Sequence, residues 1–360
     1  MKKRIDNQRN NRNRKFENSA ILVTGGAGFV GSNLVKMILN SNKAVKITIV
    51  DNLLSSEKIS IPVDERVEFV RGSIADDKIL NQLTDNFDYI FHLATYHGNQ
   101  NSIFNPLPDH KNNTLTTLKL YERIKNFKKL KKVIYSSAGC SVAKKTFGRA
   151  KATTENSPIE INQDSPYSIS KIIGEFYSVY YFKQNNLPTV RARFQNVYGP
   201  GEILGAGKWR GTPATVWRNV APTFVYKALK GLPLPLENQG RASRDFIYVD
   251  DVCGGLLACA LKGKPGDVYN IAGGKETAIK KLAGLINELA GNKAGFEFLP
   301  KRPWDTSGRR FGSTNKAQKE LGFRSHIDLE EGLIKTIEWT KSNLPIVEKI
   351  MAKHKEKLQK

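Results

Sequence analysis

The sequence predicts a doubly wound α/β protein: a buried parallel sheet with helices on both faces, plus a smaller, interleaved α/β C-terminal region that would bind substrate. Three observations predict it. Short runs rich in β-branched and aromatic residues alternate with longer stretches of helical periodicity. The first such run leads at once into a glycine-rich turn that opens a helix. The composition, 39% hydrophobic and 25% charged over 360 residues, is that of a globular chain long enough for a large core.

In chain order, residues 1–18 are basic and nearly free of apolar side chains, so they are expected to be a solvated tail. AILVT (20–24) is the first strand, followed by an amphipathic helix to about Asn40. VKITIV (45–50) is the second and ends at Asp51-Asn52. VEFV (67–70) precedes a helix near 76–84, and DYIFHLA (88–94) precedes one long helical pattern to about Phe127. KVIYSS (132–137), a helix over 167–184 and TVRARF (189–194) continue the alternation. Near-continuous apolar runs of this kind belong to strands covered on both faces. Beyond NVYGPGE (196–202) the regularity drops, and 203–242 is rich in Gly, Pro and Trp. RDFIYVDD (244–251) returns as a strand entering a helix. GDVYNIAG, a helix over 277–290 and the helices beyond 314 complete the second region. The expected division is a dinucleotide-binding domain over 19–198, with 243–264 returning to it. A second domain would comprise 199–242 and 265–345, and 346–360 would be a basic tail or fraying helix.

Charge is the compositional outlier. Lys plus Arg number 57 against 34 Asp plus Glu, a formal net charge of +23. Such a balance concerns solubility and anionic partners, not fold. Nucleic acid is not the expected partner, because no aromatic residues interleave with the basic run KNFKKLKK (125–132) as a stacking platform requires. Cys140, Cys253 and Cys259 form neither a disulfide framework nor a zinc spacing, which fits a reducing, cytoplasmic setting and no metal site. The N-terminus lacks the apolar core of a signal peptide. The uncharged run Asn18–Val35 holds four glycines, so it is strand, turn and helix, not a membrane span.

Gly25, Gly28 and Gly31 form a GxxGxxG pattern between strand and helix. Glycines there permit a tight turn and close approach of a pyrophosphate to the helix N-terminus. Asp51 ends the next strand, twenty residues past Gly31, where a carboxylate accepts from a ribose hydroxyl and repels a 2′-phosphate. The expected cofactor is therefore NAD. GAGKW (205–209) lacks both the first glycine and the Ser/Thr of a phosphate-binding loop.

Tyr167 and Lys171 stand at i and i+4, on one face of a helix. An ammonium beside a phenol favours the phenolate, which can act as a base. Ser136-Ser137 ends the strand KVIYSS, at the sheet edge where doubly wound proteins bind ligands.

With these residues the chain resembles an extended short-chain dehydrogenase/reductase of the NAD-dependent nucleotide-sugar epimerase/dehydratase family. The similarity runs from about Ala20 to Thr340. It is carried by TGGAGFVGSNL, DNL (51–53), FHLA (91–94), YSSA (135–138), PYSISK (166–171), NVYGPG (196–201), RDFIYVDD and RPWD (302–305). The resemblance implies a Rossmann domain in which Gly25, Gly28, Phe29, Val30 and Gly31 wrap the NAD pyrophosphate. Asp51 and Asn52 would hold the adenosine ribose, and Ala94, Asn113, Tyr167 and Lys171 would line the nicotinamide half. Ser73 and Ile74 would stand near the adenine, with Ser73 replacing the family's usual Asp. Ser137, Tyr167 and Lys171 would be the catalytic set. Asn196, Arg244 and Arg302 would meet the diphosphate of a nucleotide sugar, with Asp305 on its ribose.

Dehydratases of the family carry Asp-Glu after the catalytic hydroxyl residue, whereas here Ala138-Gly139 follow Ser137. The expectation is a 4-epimerase of UDP-sugars. The alternative is a 3,5-epimerase, dehydratase or keto-sugar reductase, with Cys140 as base and Lys208 or His97 as acid. His97 belongs to a loop over the sugar, and Lys208 and Arg210 to an insertion bordering it, where they would contact substrate. A homodimer through helices at 101–127 and 167–184 is implied as well.

Overall fold

The computed structural model describes residues 16–142, 146–306 and 308–359. Seven parallel strands make the central sheet: β1 (Ala20–Thr24), β2 (Lys46–Asp51), β3 (Val67–Arg71), β4 (Tyr89–His92), β5 (Lys132–Ala138), β6 (Thr189–Phe194) and β7 (Val268–Ile271). Their order is β7-β6-β5-β4-β1-β2-β3. The order reverses between β1 and β4, which pair with Thr24 opposite His92. A crevice forms at such a switch point, beyond the carboxyl ends of the strands.

Helices cover both faces. On one side α1 (Phe29–Ser41) and α4 (Val249–Lys262) bury Leu34, Ile38, Leu256 and Leu257 against the sheet. On the other, α2 (Thr116–Ile124) and α3 (Pro166–Asn185) bury Leu120, Tyr121 and Tyr181. Three two-stranded pairs stand apart from the main sheet and join 196–198 to 246–248, 243–244 to 277–278, and 234–237 to 296–299.

The structure differs from the sequence expectation in several places. VYNI (268–271) is not part of the second region; it is fully buried and extends the main sheet beside β6. RDFIYVDD divides into Ser243–Arg244 and Phe246–Tyr248, and α4 begins at Val249. The long helix toward Phe127 is broken into Asn99–Phe104, Pro106–Asp109, a π-helical turn His110–Leu115 and α2. Pro106 and Pro108 lack the N–H that a continuous helix needs. The expected helix at 76–84 is one turn, Asp77–Leu80.

Both expected tails are shorter than their composition implies. Phe16 is fully buried and meets the Tyr89 ring edge-on at 4.9 Å, while Glu17 accepts from the backbone N–H groups of Lys43 and Ala44. Residues 1–15 of the expected N-terminal tail lie outside the described residues. At the other end, α5 (Leu329–Ser342) leads into α6 (Leu344–Ala352). Val347, Ile350 and Met351 of α6 pack against Ile203, Leu204 and Val216. The His354 ring bonds the Gly205 carbonyl at 2.8 Å. Charge concealed this apolar face: the lysines of 349–357 alternate with it along the helix.

Removing most of the Met351 side chain should therefore cost about 2 kcal/mol in denaturant unfolding of Met351→Ala. A solvated tail would show no change.

Candidate active site

A cavity of about 740 Å³ crosses the carboxyl ends of the strands and continues between the two regions. One end is built on the glycine turn. Gly25 has φ +74°, and a Cβ there would lie 2.6 Å from the Ala94 nitrogen. A Cβ on Gly31 would overlap the Gly25 carbonyl. Only glycines let α1 start this close to the sheet. No side chain caps α1, whose N-cap is Gly28 and whose first turn carries no acid. Its first N–H groups and its positive dipole end are thus left for an anion, and Gly28, Phe29 and Val30 line the cavity.

Asp51 ends β2 and faces this turn. Its carboxylate accepts from the N–H groups of Ala27 (3.0 Å) and Leu53 (2.8 Å) and from the Ser56 hydroxyl (2.9 Å). Burial raises the Asp51 pKa, and these hydrogen bonds oppose the rise. Asn52, Ser73, Ile74 and Ala94 complete this wall. Ser73 accepts from the Ala75 N–H at 3.1 Å. A pyrophosphate at the uncapped helix end and a ribose at Asp51 are what the residues present can hold, so the site fits a dinucleotide.

The opposite wall is made by β5 and α3. Ser165 caps α3 and Pro166 takes its first turn, which sets Tyr167 and Lys171 on the face turned to the strand end. The Lys171 Nζ is buried and donates to the Ser136 carbonyl at 2.9 Å. It stands 5.8 Å from the centroid of the Tyr167 ring and 5.5 Å from that of Tyr135. Tyr167 lines the cavity, and His97 meets its ring edge-on at 5.8 Å. Burial, then the charges of Arg210, Arg218 and Lys171, push the His97 pKa down to about 3, so this ring is neutral at working pH.

Ser137 lies in the same wall, and its hydroxyl donates to Glu175 Oε1 at 2.5 Å. Glu175 is forked by Arg193 at 2.7 and 2.8 Å, and all three residues are buried.

The comparisons with known proteins agree with this architecture. The model of the NAD dependent epimerase/dehydratase family matches residues 21–272. The chain belongs to that family. It is 31% identical over 326 residues to a putative UDP-glucose 4-epimerase of Methanocaldococcus jannaschii, covering 90% of this chain and 99% of that one. It is also 31% identical over 336 residues to a dTDP-glucose 4,6-dehydratase of Streptomyces antibioticus, covering 90% and 92%. The crystal structure of the Bordetella bronchiseptica enzyme WbmF in complex with NAD+ and UDP is 61% identical, with a TM-score of 0.87. That match covers 96% of this chain and 99% of WbmF. The cofactor expected of this epimerase/dehydratase family member, NAD, agrees with the family.

Not every expected residue reaches the cavity. Asn196, Arg244, Arg302 and Asp305 line it. Arg302 donates to Glu237 at 2.5 Å, and Arg244 to the carbonyls of Ser243 and Gly308. Asn113 stands behind the wall, on the π-helical turn. It accepts from the Tyr96 N–H at 2.6 Å and donates to Asp109 at 2.7 Å and Ser170 at 3.1 Å, so it fastens the loop after β4. Lys208 is exposed and lies outside the cavity lining. Arg210 is buried outside the lining, stacked over Tyr96, with Nη1 on the Ser55 hydroxyl at 2.7 Å. Arg218, from the same insertion, does line the cavity. The Cys140 side chain lies outside the described residues; its backbone forms part of a 3-10 turn, Gly139–Ser141. Among the described residues no cluster of potential ligands could hold a metal, and no helix is long and apolar enough to cross a membrane.

Sequence reading missed Glu175, Glu202 and Arg310. Glu175 had a usable signal: it follows Lys171 by four residues, on the same helix face. Glu202 and Arg310 carry none, because only tertiary packing buries them in the cavity wall.

Because His97 is already neutral, His97→Gln should leave the shape of the kcat/KM profile unchanged between pH 5.5 and 9. Loss of an ionisation near pH 6.5 in that variant would contradict this assignment.

Proposed function

We propose that the chain is an NAD-dependent nucleotide-sugar 4-epimerase acting on a UDP-sugar. The observation that carries the reading is the pairing of Tyr167 with buried Lys171 at an edge where Ala138-Gly139 follow Ser137. Elimination of water needs a free acid there. The carboxylate that packing brings to Ser137 is Glu175, and its oxygens are held by Arg193 and Ser137.

NAD, held along Gly28, Phe29, Val30 and Asp51, would supply a reversible hydride acceptor for the sugar carbon. The chain does the rest. Tyr167, as phenolate, takes the proton of the C4 hydroxyl, and the Lys171 ammonium favours that anion electrostatically. Lys171 is kept in place by the Ser136 carbonyl. The resulting 4-keto sugar turns about its diphosphate linkage, and Tyr167 returns the proton after reduction on the other face. Arg244 and Arg302 hold the diphosphate meanwhile, with Asn196 beside them and Asp305 on the uridine ribose. Guanidinium is suited to that task because it pairs with phosphate oxygens two at a time.

We also propose a homodimer. Ile103, Phe104 and Leu107 stand exposed beside Ile169, Phe176 and Tyr180 of α3. An apolar surface shared by three neighbouring helices, Asn99–Phe104, Pro106–Asp109 and α3, supports a helical interface with a second copy.

Incubation with a panel of UDP-, dTDP-, GDP- and CDP-sugars, followed by NMR, should show inversion at C4 of a UDP-sugar. Dehydration, or exchange at C3 and C5, would replace the reading. Tyr167→Phe should bind NAD normally and lose about 10²- to 10⁴-fold in kcat. In analytical ultracentrifugation the protein should sediment as a dimer and Phe176→Glu as a monomer; a monomeric parent protein would refute the interface.

A further inference from the structure

Two arginines of the cavity wall, Arg218 and Arg310, each have a buried Nε without a hydrogen-bond partner. Arg218 donates its other nitrogens to the carbonyls of Ser55 and Ala206, whereas among the described residues the Arg310 guanidinium bonds nothing. Arg310 is 9% exposed and lines the cavity. Its Nε is buried without a hydrogen-bond partner, and among the described residues it has no ion pair. The other arginines nearby already have protein partners, and two of them, Arg244 and Arg302, are assigned to the diphosphate. Arg309 is forked by Glu276, Arg302 is paired with Glu237, Arg193 is forked by Glu175, and Arg244 binds two carbonyls. A buried guanidinium without a counter-charge is costly, and it becomes favourable when a ligand brings the anion.

The path of its segment relates it to the strand ends of the site. Residues 308–313 run across the carboxyl ends of β5 and β6. The Phe311 carbonyl accepts from Thr153 N–H at 2.9 Å, and the Arg309 N–H donates to the Thr146 carbonyl at 2.7 Å. Gly312 donates to Asp245 at 3.1 Å and faces Gln195, whose amide also packs on Gly139, two residues past Ser137. Asp245 is itself fully buried and accepts from Gly273 and Gly274 as well, so this segment is rigidly held. The segment that carries Arg310 is thus held beside the end of β5, the strand that also carries Ser137.

We infer that Arg310 is a specificity-determining residue that binds a carboxylate carried by the sugar, making the substrate a nucleotide-activated uronic acid or a related acidic sugar. The inference rests on the nucleotide-sugar reading of the cavity and names its substrate class. A guanidinium and a carboxylate form two parallel charge-assisted hydrogen bonds, a geometry that a neutral hydroxymethyl group cannot supply.

The test compares a UDP-hexuronate with the matching neutral UDP-hexose and with UDP alone, by epimerisation kinetics and by calorimetry on the NAD-loaded protein. The parent protein should prefer the hexuronate. Arg310→Gln should lower kcat/KM and affinity for the hexuronate about 10- to 100-fold. It should leave the neutral hexose and UDP within about twofold, and Arg310→Lys should restore part of the loss. A parent protein that prefers the neutral hexose would overturn the inference while leaving the epimerase reading intact. So would an Arg310→Gln variant that loses UDP itself by the same factor, since Arg310 would then serve the diphosphate. If neither sugar is inverted, the epimerase reading fails; calorimetry still decides Arg310 by whether the hexuronate outbinds the hexose and whether Arg310→Gln abolishes the difference.

Discussion

The close contact of α3 with β5 is the constraint on which the site depends. It requires a glycine at 174, because a Cβ there would overlap the Tyr135 hydroxyl. With that space clear, three bonds join the two elements in succession. The Tyr135 hydroxyl reaches the Lys171 carbonyl at 3.3 Å, the Lys171 Nζ reaches the Ser136 carbonyl at 2.9 Å, and the Ser137 hydroxyl reaches Glu175 at 2.5 Å. The β5–β6 register then places Arg193 opposite Ser137, where it forks the same carboxylate. The phenol and ammonium are thereby held at one strand end by contacts between a helix and a strand. Precision of this kind comes from rigid elements.

The interior of this basic protein is organised by pairing or confining its cations. On the surface, Lys125 pairs with Glu122, and Lys129 and Lys131 both pair with Asp88, so much of the run 125–132 is a structural edge and not an open platform. Inside, Arg193 has Glu175, and Arg210 spends its Nη1 on Ser55 and the His97 carbonyl. Burial, followed by the Arg218 charge, pulls the Arg210 pKa down to about 9. Glu202, buried in the cavity wall, is pushed up to about 7 by the same desolvation, against the pull of Asn219 and Arg218. The cavity wall itself carries Lys171, Arg218, Arg244, Arg302 and Arg310, a set that suits a ligand with several negative charges.

How much of this was legible in the sequence depends on whether the signal was local. The glycine turn, Asp51 and the Tyr167–Lys171 pair are short-range patterns, and each lies where the pattern put it. The strands β1 to β6 are apolar runs and were legible for the same reason. β7 was not, because VYNI reads like any short strand and only its partner, β6, decides its sheet. Phe16 and α6 were hidden by flanking lysines and arginines, since average charge masks one apolar face. Asn113 fitted a cofactor role by motif, yet the π-helical turn aims it at the Tyr96 backbone. Lys208 and Arg210 lie in an irregular insertion whose path no periodicity encodes. Arg310 was illegible for the same reason: its environment is assembled from β5, β6 and a distant loop.

In the proposed reaction, Tyr167 and Lys171 serve a transient oxidation at C4 whose hydride never leaves the site. The most direct measurement uses a UDP-sugar carrying deuterium at C4, with the label followed by NMR in unlabelled water through many turnovers. Retention of deuterium at C4 in the inverted product is the predicted result. Loss of the label to solvent, or its appearance at C6 with loss of water, would contradict the account.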